Sequence, residues 1–68
     1  MKFDHISTEE ILKDIADTES EIAVMEREEK GFRLVGDRMS IFRADSRATG
    51  IKERKKFIEQ LNDILKSR

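Results

Sequence analysis

Few residues in this 68-residue chain are of types and spacings that could carry out catalysis or bind a metal. Asp4 and His5 form a neighbouring acid–base pair, but they precede the first predicted helix cap. No second metal ligand and no nucleophile accompanies them, so neither catalysis nor metal binding is predicted. The glycines at positions 31, 36 and 50 match no phosphate-binding loop. We therefore predict a protein that is not an enzyme, with no cofactor, no metal and no small-molecule substrate.

Basic side chains suggest a different chemistry, the binding of nucleic-acid phosphates. The candidate residues are Arg47, Lys52, Lys55 and Lys56. The whole chain carries a net charge of only −1, and no aromatic residue that could stack on a base lies among the lysines. We predict weak, salt-sensitive association with nucleic acid, as an alternative to a structural or protein-interaction role.

The composition predicts one small folded domain spanning residues 1–68. Charged residues make up 43% of the chain, and the hydrophobic 37% recur periodically, as folding requires. The absence of cysteine favours a reducing compartment, and we predict a cytoplasmic protein. No apolar run approaches the ~18 residues that span a bilayer, and no signal peptide is recognised, so no membrane association is predicted.

A first helix is predicted at about residues 8–30. Ser7 can cap the amide of Glu10, and Glu9 and Glu10 suit the positive end of the helix dipole. One apolar stripe follows at helical spacing, made by Ile11, Ile15, Ile22 and Met25 with Thr18 in its middle. An acidic flank accompanies the stripe, consisting of Asp14, Asp17, Glu21 and Glu28. Gly31 is the predicted left-handed stop of this helix.

A β-hairpin is predicted at about residues 32–43, with Gly36 and Asp37 as its two-residue turn. This register pairs Val35 with Arg38 and Leu34 with Met39. It gathers an apolar face of Phe32, Leu34, Met39 and Ile41. A helix competes for the same stretch, because Phe32, Val35, Met39 and Phe42 recur at helical spacing, but it would leave Leu34 and Ile41 in water.

A loop at residues 44–50 and a second helix at about 50–66, with Ser46 or Thr49 as its N-cap, complete the prediction. The helix has its apolar arc at Ile51, Phe57, Ile58, Leu61, Ile64 and Leu65. The predicted fold class is α+β, with two antiparallel helices packed against the hairpin in the order α-β-β-α. The alternative is an all-α helical hairpin that acts as a coiled-coil-like dimerisation module.

The predicted contact surface is the outer face of the hairpin, made by Arg33, Val35, Arg38 and Phe42. An aromatic residue flanked by arginines is a common composition at the centre of a protein–protein contact. A chain this short also gains stability from any partner that binds only its folded form. We expect a protein partner or a homo-oligomer.

The chain also resembles a known family. The segments that carry the resemblance are Phe32–Arg38, Phe42–Asp45 and the helix through Phe57, Ile58 and Leu61. Together with the predicted order of elements from Thr8 to Leu65, they resemble the phage head-completion protein W family, whose members join the filled capsid to the tail. The resemblance implies a structural ring subunit without an active site, with a role in virion assembly at the head–tail joint.

Overall fold

The computed structural model describes residues 5–68, which form two long antiparallel helices. Helix α1 spans Thr8–Val35 and helix α2 spans Arg38–Lys66, joined by Gly36 and Asp37 alone. The molecule is a rod of 47 × 17 × 15 Å. Asp4, the predicted acid–base neighbour of His5, lies outside the described residues.

The start of α1 follows the sequence prediction. Ser7 has extended backbone angles, and its Oγ accepts a hydrogen bond from the Glu10 amide at 3.1 Å. This bond satisfies one of the amides that the first turn of a helix leaves without a partner. The same end of the helix pair is tied by Arg68, which donates to the Ile6 carbonyl at 2.7 Å and to Thr8 Oγ1 at 3.1 Å.

The two-residue connection consists of two helix caps placed back to back. Gly36 has a left-handed φ of 76°, and its amide donates to the Phe32 carbonyl, which ends α1. Asp37 follows with extended angles, and its carboxylate accepts from the Ser40 amide at 2.7 Å, which begins α2. The chain reverses direction within these two residues, so α2 must run back along α1.

The contact between the helices follows a heptad spacing of alternating three and four residues, which is typical of coiled coils. We call these positions the seam. In α1 the buried and half-buried seam residues are Ile11, Ile15, Thr18, Ile22, Met25, Glu29 and Phe32. In α2 they are Ser40, Ala44, Arg47, Ile51, Arg54, Ile58, Leu61 and Leu65.

The seam is unusually polar for its length. Among the described residues, the buried apolar side chains are Ile11, Ile22, Ala44, Ile51 and Leu61. Thr18 is buried among them, and Glu29, Arg47 and Arg54 occupy further seam positions. The buried apolar area is therefore small, and two helices of this length bury little more than one narrow stripe each.

The α+β prediction is wrong. The stretch at 32–43 is not a hairpin: residues 32–35 close α1, residues 38–43 open α2, and no strand occurs among residues 5–68. Gly36 and Asp37 do form a tight turn, but it connects two helices instead of two strands. The all-α helical hairpin is the correct alternative. Its dimerisation stays a prediction.

The predicted element boundaries fail for the same reason. Gly31 does not stop the first helix, which continues to Val35, and the predicted loop at 44–50 is helical. The second helix begins at Arg38 instead of near residue 50, and Asp37 caps it in place of Ser46 or Thr49. The seam spacing continues through the whole predicted hairpin and loop, and burial along that seam favours the helix.

Two glycine substitutions test these boundaries. A methyl group at Gly31 would meet no atom within 4 Å, so Gly31→Ala should raise the free energy of unfolding by about 0.5–1 kcal/mol through helix propensity. Gly36→Ala should lower it by about 1–2 kcal/mol, because alanine is strained in the left-handed conformation. Urea unfolding of both variants measures these changes. Destabilisation by Gly31→Ala would indicate that the helix ends at Gly31.

Candidate protein-interaction site

Large apolar side chains are exposed near the turn. Leu34, Val35, Met39 and Phe42 have between 62 and 81% of their surface in solvent, and all lie within two helical turns of Gly36. We call these four residues the turn-end cluster. Single exposed apolar residues are ordinary, but several gathered at one end of a rod mark a surface that another molecule can cover.

The helical register explains why this cluster stays outside the seam. Leu34 and Phe42 occupy the heptad positions opposite the seam, so each lies on the outer side of its own helix. Val35 and Met39 lie between them, both on the same side of the hairpin. The four residues therefore form a band that crosses one side of the turn end.

The predicted contact residues all lie at this end, but they do not share one role. Val35, Arg38 and Phe42 are exposed. Arg33 is engaged within the molecule, since its guanidinium binds Glu29 at 3.0 Å and Asp45 of the other helix at 3.3 Å. The hydrogen bond that Arg33 donates to Glu29, and to a smaller extent the one that it donates to Asp45, raise the pKa of Arg33. Three of the four predicted residues are available to a partner.

Near the turn, two arginines of α2 lie over the aromatic ring of Phe32 in α1. The guanidinium carbons of Arg43 and Arg47 lie 6.0 and 5.7 Å from the centroid of the Phe32 ring, within range of a cation–π interaction. Phe32 is a seam residue of α1, and both arginines belong to α2. These contacts hold the two helices together next to the turn-end cluster.

Asp37 is the negative charge at the turn itself. Hydrogen bonds from the Ser40 backbone and side chain lower the pKa of Asp37, with a smaller effect from the positive charge of Arg43. The carboxylate is therefore kept ionised at the start of α2, where it also suits the helix dipole.

Three of the four predicted nucleic-acid residues lie together on α2, and the fourth does not join them. Arg47 lies in the seam, where it faces Glu28 at 3.6 Å and covers the Phe32 ring. Lys52, Lys55 and Lys56 are exposed further along α2 and, being three and four residues apart, lie on one face of the helix, with Glu59 as the next charge on that face. With Arg47 already paired, three lysines of the predicted set are left for phosphates.

The acidic flank of α1 pairs with arginines of α2. Glu21 accepts from Arg54 at 2.9 Å, and Arg54 also donates to the Gly50 carbonyl at 3.3 Å. Arg54 thus lies along the seam while its charged group reaches the surface. The ion pairs Glu21–Arg54 and Glu28–Arg47 connect the two helices along one side of the hairpin.

Other chemistry finds no support in residues 5–68. His5 is exposed, and no group of three or more metal-binding side chains is found in that range. Neither helix is both long enough and apolar enough to cross a membrane. No family model, no curated protein and no solved structure matches this chain.

Two members of the turn-end cluster were missed as contact residues. Leu34 and Met39 were predicted to lie on the buried face of a hairpin, whereas both are exposed. The signal that could have found them is the heptad spacing, which places both outside the seam once a helix is assumed.

The cap at Asp37 predicts a specific dependence of stability on pH. Because its pKa is lower in the folded chain, the stabilising effect of Asp37 is present above the unfolded pKa of about 4 and is lost as the pH falls through the folded value. Asp37→Asn keeps a good capping side chain but cannot titrate. The difference in melting temperature between wild type and Asp37→Asn should therefore shift in favour of the variant as the pH falls from 6 to 2. A constant difference across that range would contradict the assignment.

Proposed function

We propose that this protein is a non-enzymatic protein-interaction module, in which a rigid helical hairpin presents an apolar turn end to another protein. The observation that carries the proposal is the turn-end cluster, in which Leu34, Val35, Met39 and Phe42 are more exposed than any other large apolar residue described. Burial of such side chains is the main favourable term in protein association.

The charges next to the cluster support contact with a protein. Arg38 and Arg43 lie on either side of Phe42 in the helical register, and both are exposed. Arginine and phenylalanine are enriched at the centres of protein interfaces, whereas the lysines further along α2 are of a type that interfaces disfavour. The turn end is therefore the part of the rod best suited to bind.

The more specific predictions belong to this proposal as extensions. A role at the head–tail joint of a phage, implied by the family resemblance, is one kind of interaction module. It stays a prediction, since the element order behind the resemblance included the hairpin at 32–43. A cytoplasmic location, predicted from the absence of cysteine, is proposed on the same terms.

Photo-crosslinking tests the proposal at single residues. Benzoylphenylalanine placed at Phe42 should form adducts with another protein chain in cells that make this protein, because that side chain lies on the exposed cluster. The matched control is the same probe at Leu12, which is 53% exposed but lies near the opposite end of the rod. Mass spectrometry identifies each adduct.

Serine substitution supplies the second measurement. Phe42→Ser should remove the adduct formed by a probe at Met39 while changing the free energy of unfolding by no more than about 0.5 kcal/mol, as expected of an exposed site. Leu12→Ser should leave that adduct in place. If probes at Leu34, Met39 and Phe42 all fail to form adducts, the turn end is not an interaction surface.

A further inference from the structure

The charges around the turn-end cluster are mainly positive. Within two helical turns of Gly36, residues 29–43 contain four basic and two acidic residues, a formal charge of +2. The basic residues are Lys30, Arg33, Arg38 and Arg43, and the acidic ones are Glu29 and Asp37. The whole chain has a net charge of −1. The cluster therefore lies in a positively charged part of a nearly neutral chain.

The carboxylates near the cluster are engaged within the molecule. Glu29 and Asp45 both accept hydrogen bonds from the Arg33 guanidinium, at 3.0 and 3.3 Å. The Asp37 carboxylate accepts from the Ser40 amide at 2.7 Å and caps α2. These internal contacts use Arg33 and the first turn of α2, and they leave Lys30 and Arg38 without a carboxylate partner among residues 5–68.

Three cations border the cluster at the spacing of neighbours on a helix surface. The pairs, each four residues apart, are Lys30 with Leu34, Arg38 with Phe42, and Met39 with Arg43. All three basic side chains are exposed, and none forms an ion pair with a carboxylate of residues 5–68. The turn end thus has an apolar centre with a cationic border.

The chemistry that complements this surface is an apolar centre with an acidic border. A purely anionic ligand, such as a phosphate group, would pair with the cations but leave the four apolar side chains in water. A basic partner would set like charges against each other, which costs binding free energy. Apolar side chains flanked by Asp and Glu satisfy both parts of the surface, since burial supplies affinity and opposite charges supply specificity.

A protein segment fits better than an anionic membrane, which also combines apolar and negative groups. Gly36 and Asp37 form the apex of the turn, so insertion into lipid would carry Asp37 in first. Its pKa is lowered by hydrogen bonds from Ser40, so the carboxylate is ionised at neutral pH, and an unpaired charge is costly in an apolar medium. A protein segment can cover the cluster on one side of the turn end while the apex stays in water.

We propose that the turn-end cluster binds an acidic amphipathic segment of another protein, whose apolar side chains cover the cluster and whose carboxylates pair with Lys30, Arg38 and Arg43. This inference rests on the proposed interaction role and names the class of partner. Arg33 takes no part, because Glu29 and Asp45 already hold its guanidinium.

Charge reversal tests the cationic border. Lys30→Glu/Arg38→Glu should lower the yield of the adduct from benzoylphenylalanine at Met39 by roughly tenfold or more, because like charges then meet in the contact. Both side chains are exposed and form no ion pair within residues 5–68, so the hairpin keeps its fold. The matched control, Lys52→Glu/Lys55→Glu, lies about four helical turns from the junction and should leave the yield unchanged. Equal effects of the two double variants would overturn the proposal.

Mass spectrometry of the same adduct identifies the partner segment, which should contain more Asp and Glu than Lys and Arg. That segment is then synthesised with one added Trp, in its native form and with every Asp and Glu replaced by Asn and Gln. This chain has no Trp and no Tyr, so fluorescence of the peptide reports binding. The native peptide should bind roughly tenfold more tightly or more. Comparable affinities, or a neutral or basic segment, would overturn the proposal.

Vesicles of phosphatidylcholine and phosphatidylglycerol test the membrane instead. The chain should not sediment with them, and sedimentation that Phe42→Ser abolishes would show that the cluster binds lipid, which overturns the proposal. The two proposals of this kind fail separately. Adducts at the turn end that ignore charge reversal contradict the acidic partner alone, whereas the absence of adducts from every turn-end probe contradicts the interaction surface itself.

Discussion

The junction of Gly36 and Asp37 is the constraint on which the rest of the molecule depends. A left-handed glycine ends one helix and a capping aspartate begins the next, with no residue between them. So short a connection leaves the two helices a single antiparallel register. That register sets Glu21 opposite Arg54 and places Phe32 beneath the arginines of α2. The apolar turn end exists because the chain reverses here.

The seam that this junction aligns is narrow and partly charged. Ion pairs on its exposed edges contribute only about 0–1 kcal/mol each, so they select a register more than they stabilise it. Replacing seam arginines by apolar residues would increase burial, but it would also remove the partners of Glu21 and Glu28. The arrangement favours one specific register of the two helices over a large free energy of unfolding. It also leaves apolar surface on the outside of the rod.

That external apolar surface connects the fold to its proposed use. A hairpin that buried Leu34, Val35, Met39 and Phe42 within itself would have a thicker core and a polar turn end. Here the same residues lie outside the seam, so only another molecule could bury them. Stability and recognition are thus linked through the same side chains.

The sequence by itself determined both ends of the fold but not its middle. Ser7 and the Ile11 stripe specify the first helix locally, and the arc from Ile51 to Leu65 specifies the second, so both were predictable. The acidic flank of the first helix was also visible, and Val35 and Phe42, which were predicted to lie on the surface, are exposed. Residues 32–50 were not decided locally, since Gly36-Asp37 can close a strand turn or join two helix caps, and the flanking apolar residues fit both spacings. In the tertiary structure the helical spacing prevails, because only helices continue the seam from Phe32 and Ala44 toward the open end of the hairpin, where Ile11 and Leu61 are fully buried.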